Sequence, residues 1–136
     1  MTMKILRPAL LALILLAVPV AADATADDLR SVAGMQSHNS ALIVFAPSLS
    51  DQRMRQQHAI MARLAVQAAS HDLLFIQVDP QHVIGSHDTA SALRRRFRVP
   101  DGAFRVALMG KNGKMLLSGG APLPGAAIIR ALGAAH

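Results

Sequence analysis

Hydrophobic residues fall along this chain in short runs, each closed by turn chemistry or followed by helical spacing. The run Leu-Ile-Val-Phe from Leu42 to Phe45 is continuous, the pattern of a strand covered on both faces. Pro47 ends it. Ser50, with Ser48 as the alternative, is placed to cap a helix, and Asp51 sets a carboxylate in its first turn. The helix is expected from about Asp51 to Ser70, because Met54, Ile60, Met61, Leu64, Ala65 and Ala68 recur at helical spacing. Leu73 to Val78 reads as a second strand. A strand, a helix and a strand in that order predict a parallel pair joined by a right-handed crossover. Asp79 and Pro80 end the second strand, and a polar loop runs from Gln81 to His87. Thr89 to Phe97 reads as a short helix capped by Asp88, with Leu93 and Phe97 inward. Phe104–Met109 and Met115–Ser118 flank Asn112-Gly113, the strongest short hairpin signal. Ala126 to Leu132 closes the chain as a helix packed through Ile128, Ile129 and Leu132.

This order predicts one α/β domain over residues 41–134: a βαβ-α-ββα sandwich on a four-stranded mixed sheet, with an arm or short helix over residues 23–40 before it. It is the order of a thioredoxin-like domain without an extra first strand. Two blocks carry a closer resemblance. One is Leu-Ile-Val-Phe-Ala-Pro-Ser, from Leu42 to Ser48. The other runs from Leu93 to Gly113, where an arginine-rich helix end, Val99-Pro100, Gly102-Ala103-Phe104 and the hairpin follow one another. Both are similar to the blocks of a bacterial exported family, domain of unknown function 4174. The resemblance covers roughly residues 29–132; the tail departs from it, since more charge and a longer end are expected after Ala131. It implies a thioredoxin-like fold and no activity, because the family has none assigned.

The first residues read as a leader, not as core. Lys4 and Arg7 are followed by an apolar run from Ala9 to Val18, then Pro19 and the small residues Val20-Ala21-Ala22. Basic, apolar, then small is the order of a secretory signal peptide, assigned to residues 1–22 with cleavage after Ala22 or Ala24. The run is short for a bilayer, which takes about 20 residues, so a membrane contact is expected only if the leader stays uncleaved. The protein is therefore expected in the periplasm or secreted. Cleavage after Ala22 removes Lys4 and Arg7 from 14 basic residues, leaving 12 against 8 acids, all Asp, and a charge of +4.

Composition excludes several functions. With no cysteine, thiol–disulfide exchange, sulfenic acid chemistry and thiolate metal ligation are all ruled out. Aligned by strand ends, the paired-cysteine positions of thioredoxins fall near Ser50 and Arg53, and the cis-proline position falls at Phe104. With no Trp and no Tyr, the stacking platforms used for single-stranded nucleic acid are missing, and no nucleic-acid partner is expected.

Three constellations remain as candidate chemistry. The run Arg94, Arg95, Arg96 with Arg98 groups guanidinium forks that suit phosphate, carboxylate or an acidic protein patch. Cations also complement a helix C-terminus, which gives the run a purely structural reading as well. Asp79, His82, His87 and Asp88 place imidazoles and carboxylates within ten residues, a donor set that suits zinc, copper or nickel. Their spacing in a loop fixes no geometry, and the other reading is a solvated loop. Ser48 or Ser50 with His58 and Asp51 has the parts of a nucleophilic site, against the plainer role of helix caps. The expectation is a non-enzymatic, cofactor-free binding or interaction module. Its partner would be an unknown protein or anionic ligand outside the cytoplasm, met through the arginines.

Overall fold

A computed structural model describes residues 31–135 of the chain. The expected leader over residues 1–22, and the arm as far as residue 30, lie outside the described residues. The elements are α1 (Val32–Met35), β1 (Ser40–Phe45), α2 (Gln52–Arg63), α3 (Ala65–Ser70), β2 (Leu73–Val78), β3 (Val83–Ile84), α4 (Ala90–Phe97), β4 (Arg105–Met109), β5 (Met115–Gly119) and α5 (Gly125–Ala134).

β1 is the central strand. Its residues alternate between two cores, as a period of two requires. Leu42, Val44 and Ala46 join Met54, Met61, Val106, Leu108, Ile128 and Leu132 beneath α2, α3 and α5. Ala41, Ile43 and Phe45 join Val32, Met35, Ile76, Val78, Leu93 and Val99 beneath α1 and α4. Every residue of β1 is buried, which is why the run carries no polar alternation. Burying a large apolar side chain of this kind contributes about 1.5–3 kcal/mol. The result is a sheet with helices on both faces.

The sheet is mixed and has five strands in the order β3-β2-β1-β4-β5, not the four expected. β1 and β2 are parallel, with Ser40 opposite Leu73 and Phe45 opposite Val78. β4 runs antiparallel to β1, and β5 antiparallel to β4. The added strand is the two-residue β3, paired with Gln77 and Val78 inside the stretch read as a polar loop. Two residues show no periodicity, so the pattern could not reveal it. Beyond β3, Gly85 lies over the edge of β2. Its φ is +104°, and a Cβ there would sit 2.6 Å from the Phe75 carbonyl oxygen. Only glycine lets the loop cover that edge so closely.

The long helix expected from Asp51 to Ser70 is two helices. The break falls at Leu64, whose N–H is shared between the carbonyls of Ile60 and Met61. Leu64 packs on Gly125 at the start of α5, where a Cβ would lie 3.1 Å from Leu64 Cδ1. A spacing that reads as continuous does not show the break. The caps differ too. Asp51, not Ser50, accepts from the Arg53 N–H. Thr89, not Asp88, caps α4 by accepting from the Ala92 N–H.

Candidate functional site

The chain leaves β1 at Phe45 and crosses through α2 to β2 on one side. It then crosses through α4 to β4 on the other side of β1. The carboxyl end of β1 is thus the point where the strand order reverses, the place where open α/β sheets commonly receive ligands. Three segments meet there. β4 begins opposite it, with Arg105 paired to Phe45. α2 begins there, and Arg53 lies 4.8 Å from the centre of the Phe104 ring. α4 ends there, since the Arg94 guanidinium donates to the Ala46 carbonyl at 2.8 Å and to the Pro100 carbonyl at 2.7 Å.

The four arginines of the run do not share one fate. Arg94, expected among the contact residues, is 4% exposed. It follows Ala90 and Leu93 on the inner stripe of α4 and spans 48 residues of sequence to reach Ala46. Its Nε makes no hydrogen bond and lies 3.8 Å from Asp101, a side chain 83% exposed. Arg94 is therefore a crosslink of the fold, not a contact residue. Arg95, Arg96 and Arg98 are exposed and form no ion pair among the described residues. Arg98 takes the left-handed conformation at φ 57° as the C-cap of α4. Arg96 lies 5.8 Å from the Phe97 ring, which in turn packs on Phe45. Arg53 is already engaged. It holds Asp51 through Nε at 3.0 Å and Nη2 at 2.8 Å. That pair draws the Asp51 carboxyl down to about 2 against the opposing effect of desolvation, helped by the Arg53 and Met54 backbone N–H groups.

The loop read as a metal site is divided between two structural tasks. Asp79 accepts from the backbone N–H of Gln81 and of His82, at 2.8 and 2.6 Å, and meets the His82 ring at 3.1 Å. Burial raises its carboxyl pKa, and these hydrogen bonds outweigh that and hold it below its ordinary value. Asp88 turns the other way. It accepts from the Val32 N–H at 2.8 Å and the Ser86 hydroxyl at 2.9 Å, tying α1 to the loop. β3 separates the two carboxylates. His87 is exposed. Among the described residues, no three of His, Cys, Asp or Glu are grouped so as to hold a metal ion.

Among the described residues, neither serine is hydrogen-bonded to His58. Ser48 Oγ and Ser50 Oγ share a hydrogen bond of 2.9 Å, and Ser48 Oγ also accepts from the Ser50 N–H. His58 instead packs on Phe75, ring centres 5.9 Å apart.

One buried polar group escaped the sequence reading. Gln57 is fully buried and bonds reciprocally to Leu123, donating to its carbonyl at 3.1 Å and accepting from its N–H at 2.6 Å. Its signal was present: residues 54, 57 and 61 form one helical stripe, and all three are buried.

The family described as Domain of unknown function (DUF4174) matches residues 31–130. The chain belongs to that family. The match takes in all the described strands and all but the end of α5, so both the arginine end and the divided loop lie inside the DUF4174 domain. No curated protein matches the chain. Among the described residues no helix is long and apolar enough to cross a membrane.

Proposed function

We propose that this DUF4174 domain is an exported, non-enzymatic binding module, thioredoxin-like in fold, that holds an anionic partner on the arginine end of α4. One observation carries the reading. Arg95, Arg96 and Arg98 are exposed and without ion pairs among the described residues, beside the carboxyl end of β1 where the strand order reverses. Guanidinium forks there suit carboxylate or phosphate. The charge of +4 left after cleavage of the leader favours the approach of such a partner. Export rests on the basic, apolar and small residues of the first 22 positions. The absence of cysteine leaves the module without thiol chemistry.

Retention on immobilised polyaspartate and on phosphatidylglycerol vesicles tests the reading. Retention that falls as salt is raised, while phosphatidylcholine vesicles retain nothing, is the expected result. No retention on either anionic probe at low salt would contradict it.

A further inference from the structure

At the opposite end of the sheet, where β1 begins and β4 turns into β5, lies a cleft of about 220 Å³. Ser40, Ser70, His71, Lys111, Asn112, Leu132 and Ala135 line it. No function assigned above uses it. We infer that this cleft binds a small carboxylate whose neighbouring carbon carries a hydroxyl or amino group.

The lining divides by chemistry. Donors come from three residues. Lys111 Nζ gives one hydrogen bond to Asp72, at 2.7 Å, and an ammonium has three to give. Asn112 accepts from the Lys114 N–H through Oδ1, which leaves its amide N–H groups uncommitted among the described residues. Ser40 is 4% exposed, and its hydroxyl makes no side-chain hydrogen bond among the described residues, although it lines the cleft. That hydroxyl has a proton to give to a ligand atom in the cleft. Ser70 supplies the complement. Its proton already goes to the Gln67 carbonyl at 2.8 Å, which leaves its oxygen as an acceptor for a ligand in the cleft it lines. The ligand must then bring acceptors for Lys111, Asn112 and Ser40 and a donor for Ser70. Leu132 and Ala135 give an apolar floor for a short carbon chain. Drug-sized sites run from about 300 Å³ upward, so this volume suits a molecule of a few heavy atoms. The Lys111–Asp72 pair is half exposed and so holds Lys111 only weakly, leaving it able to turn towards a ligand.

Titration of the ¹⁵N-labelled full chain with lactate, propionate and inorganic phosphate, at ionic strength matched by sodium chloride, tests this. Lactate should shift the amides of Ser40, Ser70, Lys111 and Asn112 saturably. Propionate, which lacks the donor for Ser70, should bind about tenfold more weakly, and Ser40→Ala should weaken lactate by a similar factor. Lys111→Met should weaken all the anions, while the variant lacking Arg95, Arg96 and Arg98 should bind lactate unchanged. The dispersion of each variant's spectrum reports whether it is folded. Three results would each overturn the inference: no saturable shift with lactate, a phosphate response as tight as lactate's, or lactate binding intact in both Ser40→Ala and Lys111→Met.

Discussion

The end of α4 and the loop from Asp79 to Asp88 both concentrate charge, and the fold treats them in opposite ways. In the loop, the carboxylates are consumed by short hydrogen bonds. Asp79 closes its own turn, and Asp88 clamps α1. At the helix end, one guanidinium turns inward to join β1 to the turn at Pro100, and the neighbouring ones stay in solvent, without ion pairs among the described residues. A carboxylate in a tight loop has backbone N–H groups within reach. The guanidinium groups of the last helical turn bring many donors, and among the described residues the one carboxylate paired with any of them is Asp101, 3.8 Å from Arg94 Nε. The charged loop therefore serves the fold, and the charged helix end has groups left over for a partner.

The largest effect expected from breaking this contrast is at Arg94. Arg94→Ala removes charged hydrogen bonds to two backbone carbonyls and should cost about 3 kcal/mol of stability in urea denaturation. Arg94→Lys should recover only part of this, since one ammonium cannot reproduce the fork. A cost near that of an ordinary surface substitution would show that Arg94 is not the crosslink described.

Asp88 comes next. Asp88→Ala leaves the Val32 N–H without its acceptor and should cost about 2 kcal/mol, with faster hydrogen exchange at Val32. Unchanged exchange at Val32 would mean that the loop does not hold α1.

Acid should reveal the Asp51–Arg53 pair. The folded carboxyl titrates at about 2, below its ordinary 3.8. A depressed pKa means that the folded state holds the proton less tightly than the unfolded chain. The pair's stabilisation is therefore present above pH 3.8 and lost as pH falls towards 2. Asp51→Asn should flatten the stability curve in that window; an identical acid limb in both proteins would argue against the pair.

The smallest effect on stability should come from the exposed arginines. Replacing Arg95, Arg96 and Arg98 by Ala should change unfolding free energy by no more than about 0.5 kcal/mol per site. A larger loss in thermal denaturation would mark them as structural, like Arg94.

Much of this was legible in the sequence. The apolar run from Leu42 to Phe45 announced a doubly covered strand, and β2 runs from Leu73 to Val78, as its pattern predicts. Asn112-Gly113 marked the hairpin. The misses have two causes: some signals are too short or too local to show in a pattern, and others depend on contacts made from far along the chain. β3 is too short for a period, and Leu64, where the expected helix breaks, packs against Gly125 of α5 from far along the chain. Arg94 reads as surface by residue type, although its place beside Leu93 puts it on the buried stripe. The loop's histidines and aspartates promised a metal site by composition. Their backbone hydrogen bonds, invisible in the sequence, committed the carboxylates elsewhere. The cleft at Ser40 draws on α3, β1, the hairpin and α5 together, and no local pattern joins those segments.

The most direct test is the affinity of the wild-type chain and of the Arg95→Ala, Arg96→Ala, Arg98→Ala triple variant for phosphatidylglycerol vesicles, measured at one salt concentration. Each basic residue near an anionic surface contributes about 1 kcal/mol, so the variant should bind roughly a hundredfold more weakly while unfolding at the same denaturant concentration. Equal binding by the two proteins would contradict the assignment of this end of α4 as the binding surface.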